Sequence, residues 1–140
     1  MKNYFEVKIK RFGVDETGRE RRIVESYLID AVSFTDAEAR MYQYAEIKSM
    51  NIMVVGITES KIERIIIYDD GDTAYKARIS TSIIDENFGR EKRIKLTWLV
   101  FATDINSALD GADLELKLIL ASSQVESISL CNICKVIEAE

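Results

Sequence analysis

The chain has 140 residues, contains two cysteines, and lacks both histidine and proline. This length is typical of a single domain with its own hydrophobic core. Without histidine, Ser–His and Cys–His catalysis are excluded, and so are metal sites built on imidazole. We therefore expect a protein that is not an enzyme and needs no metal or cofactor. The net charge of −5 argues against nucleic acid binding over the whole surface.

No signal peptide or membrane span is indicated. The N-terminus becomes polar at Glu6 before an apolar segment can form. The longest apolar stretches are short, such as residues 65–67, whereas about 20 residues are needed to cross a bilayer. The sequence thus predicts a cytoplasmic protein with no membrane partner.

The first elements in chain order form a predicted β-hairpin. Residues 5–10 alternate apolar and charged side chains, which is typical of a half-buried strand. Residues 15–18 end in Gly18 and predict a turn, because glycine readily adopts positive φ. A return strand follows, with Ile23, Tyr27 and Ile29 on one face.

A helix is predicted to follow the hairpin. Thr35 is the candidate N-cap, Glu38 would close a capping box, and Phe34 lies at the position of a hydrophobic staple. One further strand is predicted over about residues 54–67. The acidic segment 69–72 lacks the ligand pattern of a calcium loop and predicts a turn instead.

The same order of elements is repeated in the second half of the chain. Strands are predicted near 75–84 and 91–102, a helix near 106–120, and a last strand near 125–137. At offsets of 70 and 71 residues, 14 of 42 aligned pairs are identical, which indicates an internal duplication.

These patterns predict an α+β fold with two tandem β-β-α-β repeats, at about 4–69 and 74–138. The repeats would form one pseudo-twofold domain over residues 1–140. We expect a mainly antiparallel six-stranded sheet with both helices packed against it.

The strongest functional lead is a cluster of three cations beside each predicted hairpin turn. Arginine and lysine bind phosphate and carboxylate groups, so these clusters predict an anion-binding surface. The alternative is that they are solvated strand ends whose charges discourage edge-to-edge pairing. The residues are Arg19, Arg21 and Arg22 in the first hairpin, and Arg90, Lys92 and Arg93 in the second.

Three further features have mainly structural interpretations. Glu25 shares the face of buried strand positions, so it lies either at an open sheet edge or in a pair, for example with an arginine. Cys131 and Cys134 have C-x-x-C spacing, but residues three apart on a strand point to opposite faces, so their sulfurs cannot meet. Aromatic residues on the strands, including Tyr27 and Trp98, are expected to pack in the core, although exposed aromatics beside cations can stack on bases.

The segment 24–40, which runs V-E-S-Y-L-I-D-A-V-S-F-T-D-A-E-A-R, resembles a family of small proteins of unknown function from gut anaerobic bacteria and their phages. Segments 98–104 and 106–109 are also similar to that family, so the resemblance extends over nearly the whole chain. It implies a phage or mobile-element setting and transfers no catalytic residue.

Three functions remain open. The first is a non-enzymatic phage or prophage accessory protein, homo-oligomeric, that holds a nucleotide signal, nucleic acid or host protein. The second is a structural component of a phage particle, in which case the protein would be located in the virion. The third is an enzyme that uses carboxylates and arginines, for which the sequence shows no catalytic constellation.

Overall fold

The structure is a computed structural model that describes residues 3–119 and 122–138, except the side chain of residue 85. Eight strands and two helices occur in the described chain. The first half contains β1 (Tyr4–Val14), β2 (Glu20–Asp30), α1 (Phe34–Ile47), β3 (Ile52–Glu59) and β4 (Ile62–Ile67). The second half contains β5 (Thr73–Asp85), β6 (Arg90–Ala102), α2 (Ile105–Ile119), β7 (Gln124–Leu130) and β8 (Ile133–Ile137).

The elements form two compact units, each with one four-stranded sheet and one helix. Unit 1 contains β1, β2, α1, β3 and β8, and its strand order is β3-β1-β2-β8. Unit 2 contains β4, β5, β6, α2 and β7, with strand order β4-β6-β5-β7. The mixed content of helix and strand agrees with the α+β class, whereas the prediction of a single domain stays a prediction.

The predicted six-stranded sheet of two tandem repeats is wrong. Each long strand predicted at the end of a repeat is in fact two strands, and the second one pairs with the sheet of the other half. β4 pairs in parallel with β6, and β8 pairs in parallel with β2. Apolar alternation shows which segments are extended, but it does not show which neighbour an extended segment will join.

The core of unit 1 lies between α1 and one face of its sheet. Ala37, Met41 and Ala45 of the helix are buried, as expected from their helical spacing. Ala37 and Met41 pack with strand residues of alternating positions, namely Phe5, Val7, Ile9, Tyr27 and Ile29.

The N-cap of α1 differs from the prediction. Ser33, not Thr35, caps the helix, and its Oγ accepts the N–H of Asp36 at 3.1 Å. The Asp36 carboxylate in turn accepts the N–H of Val32 at 3.0 Å. The helix therefore begins two residues earlier than a cap at Thr35 would allow, because the serine–aspartate pair satisfies two N-terminal donors.

The core of unit 2 is built in the same way around Trp98, which is 2% exposed. The predicted second helix is confirmed as α2, although residue 120 at its predicted end lies outside the described residues. Within α2, Gly111 faces the ring of Tyr68, whose Cγ would lie 2.7 Å from a Cβ at that position. The glycine is therefore required for this close approach.

Both hairpins extend beyond the rest of their sheets as two-stranded arms. β3 pairs with β1 only as far as Arg11, and β8 pairs with β2 only from Ser26 onward. We call residues 12–24 arm 1, and the corresponding residues 82–95 of unit 2 arm 2. Because two strands alone make a marginally stable sheet, each arm depends on the sheet at its base for its order.

Candidate functional site

In arm 1, the Asp15 carboxylate organises the turn. Its Oδ1 accepts the N–H groups of Thr17 and Arg19, both at 2.9 Å, and its Oδ2 lies 2.6 Å from Nε of Arg21. The Thr17 hydroxyl also donates to Oδ1 at 2.7 Å, and this hydrogen bond, together with the others, holds the pKa of Asp15 below its usual value. The carboxylate thus occupies the donors that an incoming anion would need.

The other two cations of arm 1 differ in their contacts. The Arg22 guanidinium lies over the Phe12 ring, 5.9 Å from its centroid, in a cation–π contact. The side chain of Arg19 forms no hydrogen bond or ion pair with any residue that the structure describes. Arm 1 therefore offers one uncommitted cation.

Arm 2 has a different surface. Phe88, Arg90, Glu91 and Lys92 line an open depression of about 470 Å³. Neither Arg90 nor Lys92 has a side-chain partner within the described ranges, and the Phe88 side chain is 74% exposed. Arg90 and Lys92 are two residues apart on a strand, so they share one face of the arm.

Two other polar contacts join the strands of this hairpin. The Arg93 guanidinium donates to Ser80 Oγ at 2.8 Å, and the Ser82 hydroxyl donates to the Glu91 carboxylate. Arg93 is thus engaged in an internal contact. Of the six cations predicted to bind anions, Arg90 and Lys92 are the pair that shares a face and is free of internal contacts in the described structure.

Glu25 belongs to a polar cluster at the base of arm 1. Arg11 holds it through two contacts, Nε to Oε1 at 2.5 Å and Nη2 to Oε2 at 3.3 Å. The Glu25 side chain is 19% exposed, and the pairing with Arg11 lowers its pKa from the ordinary value of 4.5. Of the two situations that the sequence predicts for Glu25, the structure shows the pair with an arginine.

Two aromatic residues extend the cluster toward α1. Burial and the nearby Glu25 charge raise the pKa of Tyr27 to about 12. Its ring lies 5.8 Å from that of Tyr44, and the Lys135 ammonium lies 5.4 Å from the Tyr44 centroid. At the corresponding positions, unit 2 has Trp98 and an Arg64–Glu115 ion pair, so the polar cluster is particular to unit 1.

The Glu25 pair gives the fold a dependence on pH. Because the folded-state pKa of Glu25 is lowered, its ionisation stabilises the fold above pH 4.5, and this stabilisation is lost as the pH falls through the folded-state pKa. We expect Glu25→Gln to lower the free energy of unfolding by about 1 kcal/mol at pH 7. The difference from the parent protein should shrink below pH 4. Urea unfolding of both proteins at pH 7 and below pH 4 measures this difference in free energy. An equal difference at the two pH values would contradict the role of the ionised Glu25 in stability.

Cys131 lies in the break between β7 and β8, and Cys134 is the second residue of β8. Both are free thiols, and Cys134 Sγ lies 3.7 Å from Glu25 Oε2. Burial and the Glu25 charge raise the pKa of the Cys134 thiol, which disfavours the reactive thiolate. Among the described residues, no group of three or more Cys, Asp or Glu side chains is arranged to hold a metal ion.

Comparison with known protein families finds a match over nearly the whole chain. A model described as Domain of unknown function (DUF4494) matches residues 3–139. The chain belongs to this family. The membership confirms the resemblance to a family of unknown function, and its description names no activity. No curated protein and no solved structure matches the chain. In the described residues, no helix is long and apolar enough to cross a membrane.

Two residues of these sites were missed by sequence reasoning. Arg11 shares strand parity with Ile9 and Glu25, so a cation at a buried position was the signal for its pairing with the carboxylate. Phe88 lies in the second turn, which is one residue longer than the first, and an apolar residue in an otherwise polar turn was the available signal.

Proposed function

We propose that the protein is a non-enzymatic accessory binding protein that holds an anionic ligand on arm 2. The observation that supports this function best is the depression at Phe88, where two uncommitted cations, Arg90 and Lys92, flank an exposed ring. Guanidinium and ammonium groups bind phosphate, and an aromatic face stacks on a planar base. The ligand is therefore a phosphate joined to a planar ring, as in a free nucleotide or a unit of a single-stranded nucleic acid.

The charge distribution supports local rather than general attraction of this ligand. Arm 2 contains four cations and three carboxylates, whereas the whole chain has a net charge of −5. An anion is thus repelled by most of the molecule and attracted at the arm. Binding should weaken as salt is added, because phosphate contacts with cations are screened and release counterions.

The proposal extends to the setting of the protein. The resemblance of residues 24–40 supports a phage or prophage protein that acts in the cytoplasm of its host. The unpaired outer edges of the arms support self-association into a homo-oligomer, since such edges readily pair with other strands.

The test measures ligand binding by fluorescence polarisation. The probes are a labelled single-stranded oligonucleotide of about 12 residues and a labelled mononucleotide, which distinguish the two sources of the ligand chemistry. We expect Arg90→Ala/Lys92→Ala and Phe88→Ala each to weaken binding about tenfold. Their melting temperatures should change little, because all three side chains are exposed.

Arm 1 supplies a matched control. Arg19 and Arg21 occupy the positions that correspond to Arg90 and Lys92, so Arg19→Ala/Arg21→Ala removes the same charge from residues that do not line the depression at Phe88. This variant should bind as the parent does. Equal weakening by both double variants would show attraction by net charge alone and would refute a site on arm 2, as would absence of binding to both probes.

A further inference from the structure

The fourth strand of each sheet comes from the other half of the chain. β8 joins β2 at Ser26–Ile29, and β4 joins β6 at 97–101, in both cases as a parallel strand beside the second strand of the hairpin. Each half of the chain thus supplies the fourth strand of the other half's sheet. This reciprocity is the property of a twofold strand-exchanged dimer, here with both halves on one chain.

The two joints agree in detail. After Ser26 pairs with Ile133, the register shifts and skips Cys134. After Ile62 pairs with Thr97, the same shift skips Glu63. The register shift falls at the same point in both pairs. The edge of β2 therefore accepts β8 in the same register as the edge of β6 accepts β4.

β8 is a short strand with few buried side chains. It has five residues, and only Ile133 among them is buried. Residues 131–132 alone connect it to β7. Beyond the strand, an exposed hydrogen bond from the Tyr4 hydroxyl to the Glu138 carboxylate, at 3.0 Å, holds the segment.

We propose that β8 exchanges between copies of this chain, so that β8 of one copy occupies the β2 slot of another and forms a strand-exchanged dimer. The occupant is a second copy because every copy carries an identical β8 that matches the edge of β2 in register, and exchange of an identical element is a low-cost route to a dimer. When β8 leaves, the buried Leu28 and Ile29 of β2 lie on an open edge, which drives re-pairing. The inference deepens the self-association in the proposed function and is independent of the ligand on arm 2.

The experiment traps the exchange in full-length protein with a disulfide. Leu28 and Val136 are partners in the register of β2 and β8. In a background of Cys131→Ser/Cys134→Ser, one chain carries Leu28→Cys and another, of different mass, carries Val136→Cys. The two are mixed at high concentration, incubated and oxidised. A covalent dimer that contains one chain of each mass is the expected product, seen on a non-reducing gel and by mass spectrometry.

Two controls make the result decisive. A chain that carries both substitutions should form the disulfide internally, which establishes the register and correct folding. A mixture of the Leu28→Cys chain with a chain that carries Lys117→Cys, an exposed position on α2, should give no specific dimer. If Leu28→Cys prevents folding, Ser26→Cys with Ile133→Cys tests the same joint. An internal disulfide without any mixed dimer would overturn the proposal and leave the ligand on arm 2 untouched.

Discussion

Replacement of Gly71 by alanine is expected to destabilise unit 2 by about 3 kcal/mol. A Cβ at residue 71 would lie 2.1 Å from both Cα and the carbonyl carbon of Ala102, and 2.5 Å from the backbone nitrogen of Thr103. All three atoms belong to backbone, so no side-chain rotation relieves the overlap. The turn before β5 or the end of β6 has to move instead.

The surrounding hydrogen bonds make this movement costly. The N–H of Gly71 donates to the carbonyl of Tyr68 at 3.1 Å, and the N–H of Tyr68 donates to the carbonyl of Phe101 at 2.8 Å. A shift of residue 71 therefore disturbs the contact between the end of β4 and β6. Thermal unfolding followed by circular dichroism should show a melting temperature lower by about 10 °C.

Gly56→Ala is the matched control for this substitution. No heavy atom lies within 4 Å of a Cβ at residue 56, and the position lies in β3 of unit 1. The free energy of unfolding should stay the same or rise by about 0.5 kcal/mol, since alanine restricts the unfolded chain more than glycine does. A Gly71→Ala protein as stable as the Gly56→Ala protein would contradict the close packing of the turn.

The sequence predicts the elements of this fold better than their partners. Alternation and helical spacing depend on local geometry, so both hairpins and both helices are predicted within a few residues. The choice that places Ile66 beside β6 and Ile137 beside β2 is not encoded in any local period. Both repeats carry similar apolar strands, and the two-residue breaks at 60–61 and 131–132 contain no proline or glycine to mark them.

For the candidate sites as well, the sequence predicts the residues better than their contacts. The cations Arg90 and Lys92 are visible in the sequence, because charge is a property of the residue itself. Whether a cation is free to bind a ligand depends on its neighbours. Arg21 pairs with Asp15 within the first hairpin, and Arg93 pairs with Ser80 within the second hairpin. The register between the two strands of a hairpin decides these contacts. That register depends on the geometry of the turn, which the number of residues alone does not determine.

Truncation of an isoleucine in an exchanged strand should weaken the unit to which the strand belongs in space, not its own half of the sequence. Ile66 lies in the first half of the chain, yet it packs against the core of unit 2 that contains Trp98. Ile137 lies in the second half and packs against the core of unit 1. Both are partly buried, so we expect Ile66→Ala and Ile137→Ala each to cost about 2 kcal/mol.

Amide hydrogen exchange measured by NMR locates the effect. Ile66→Ala should lower protection mainly in β5 and β6, whereas Ile137→Ala should lower it mainly in β1 and β2, because each variant loosens the sheet that its strand completes. Ile67→Ala is the control, since that neighbouring side chain is 70% exposed and its loss should change protection little. If Ile66→Ala instead loosened β1 and β2, the strand would belong to its own repeat. The pair of variants thus separates a reciprocal exchange from two tandem repeats by where protection is lost.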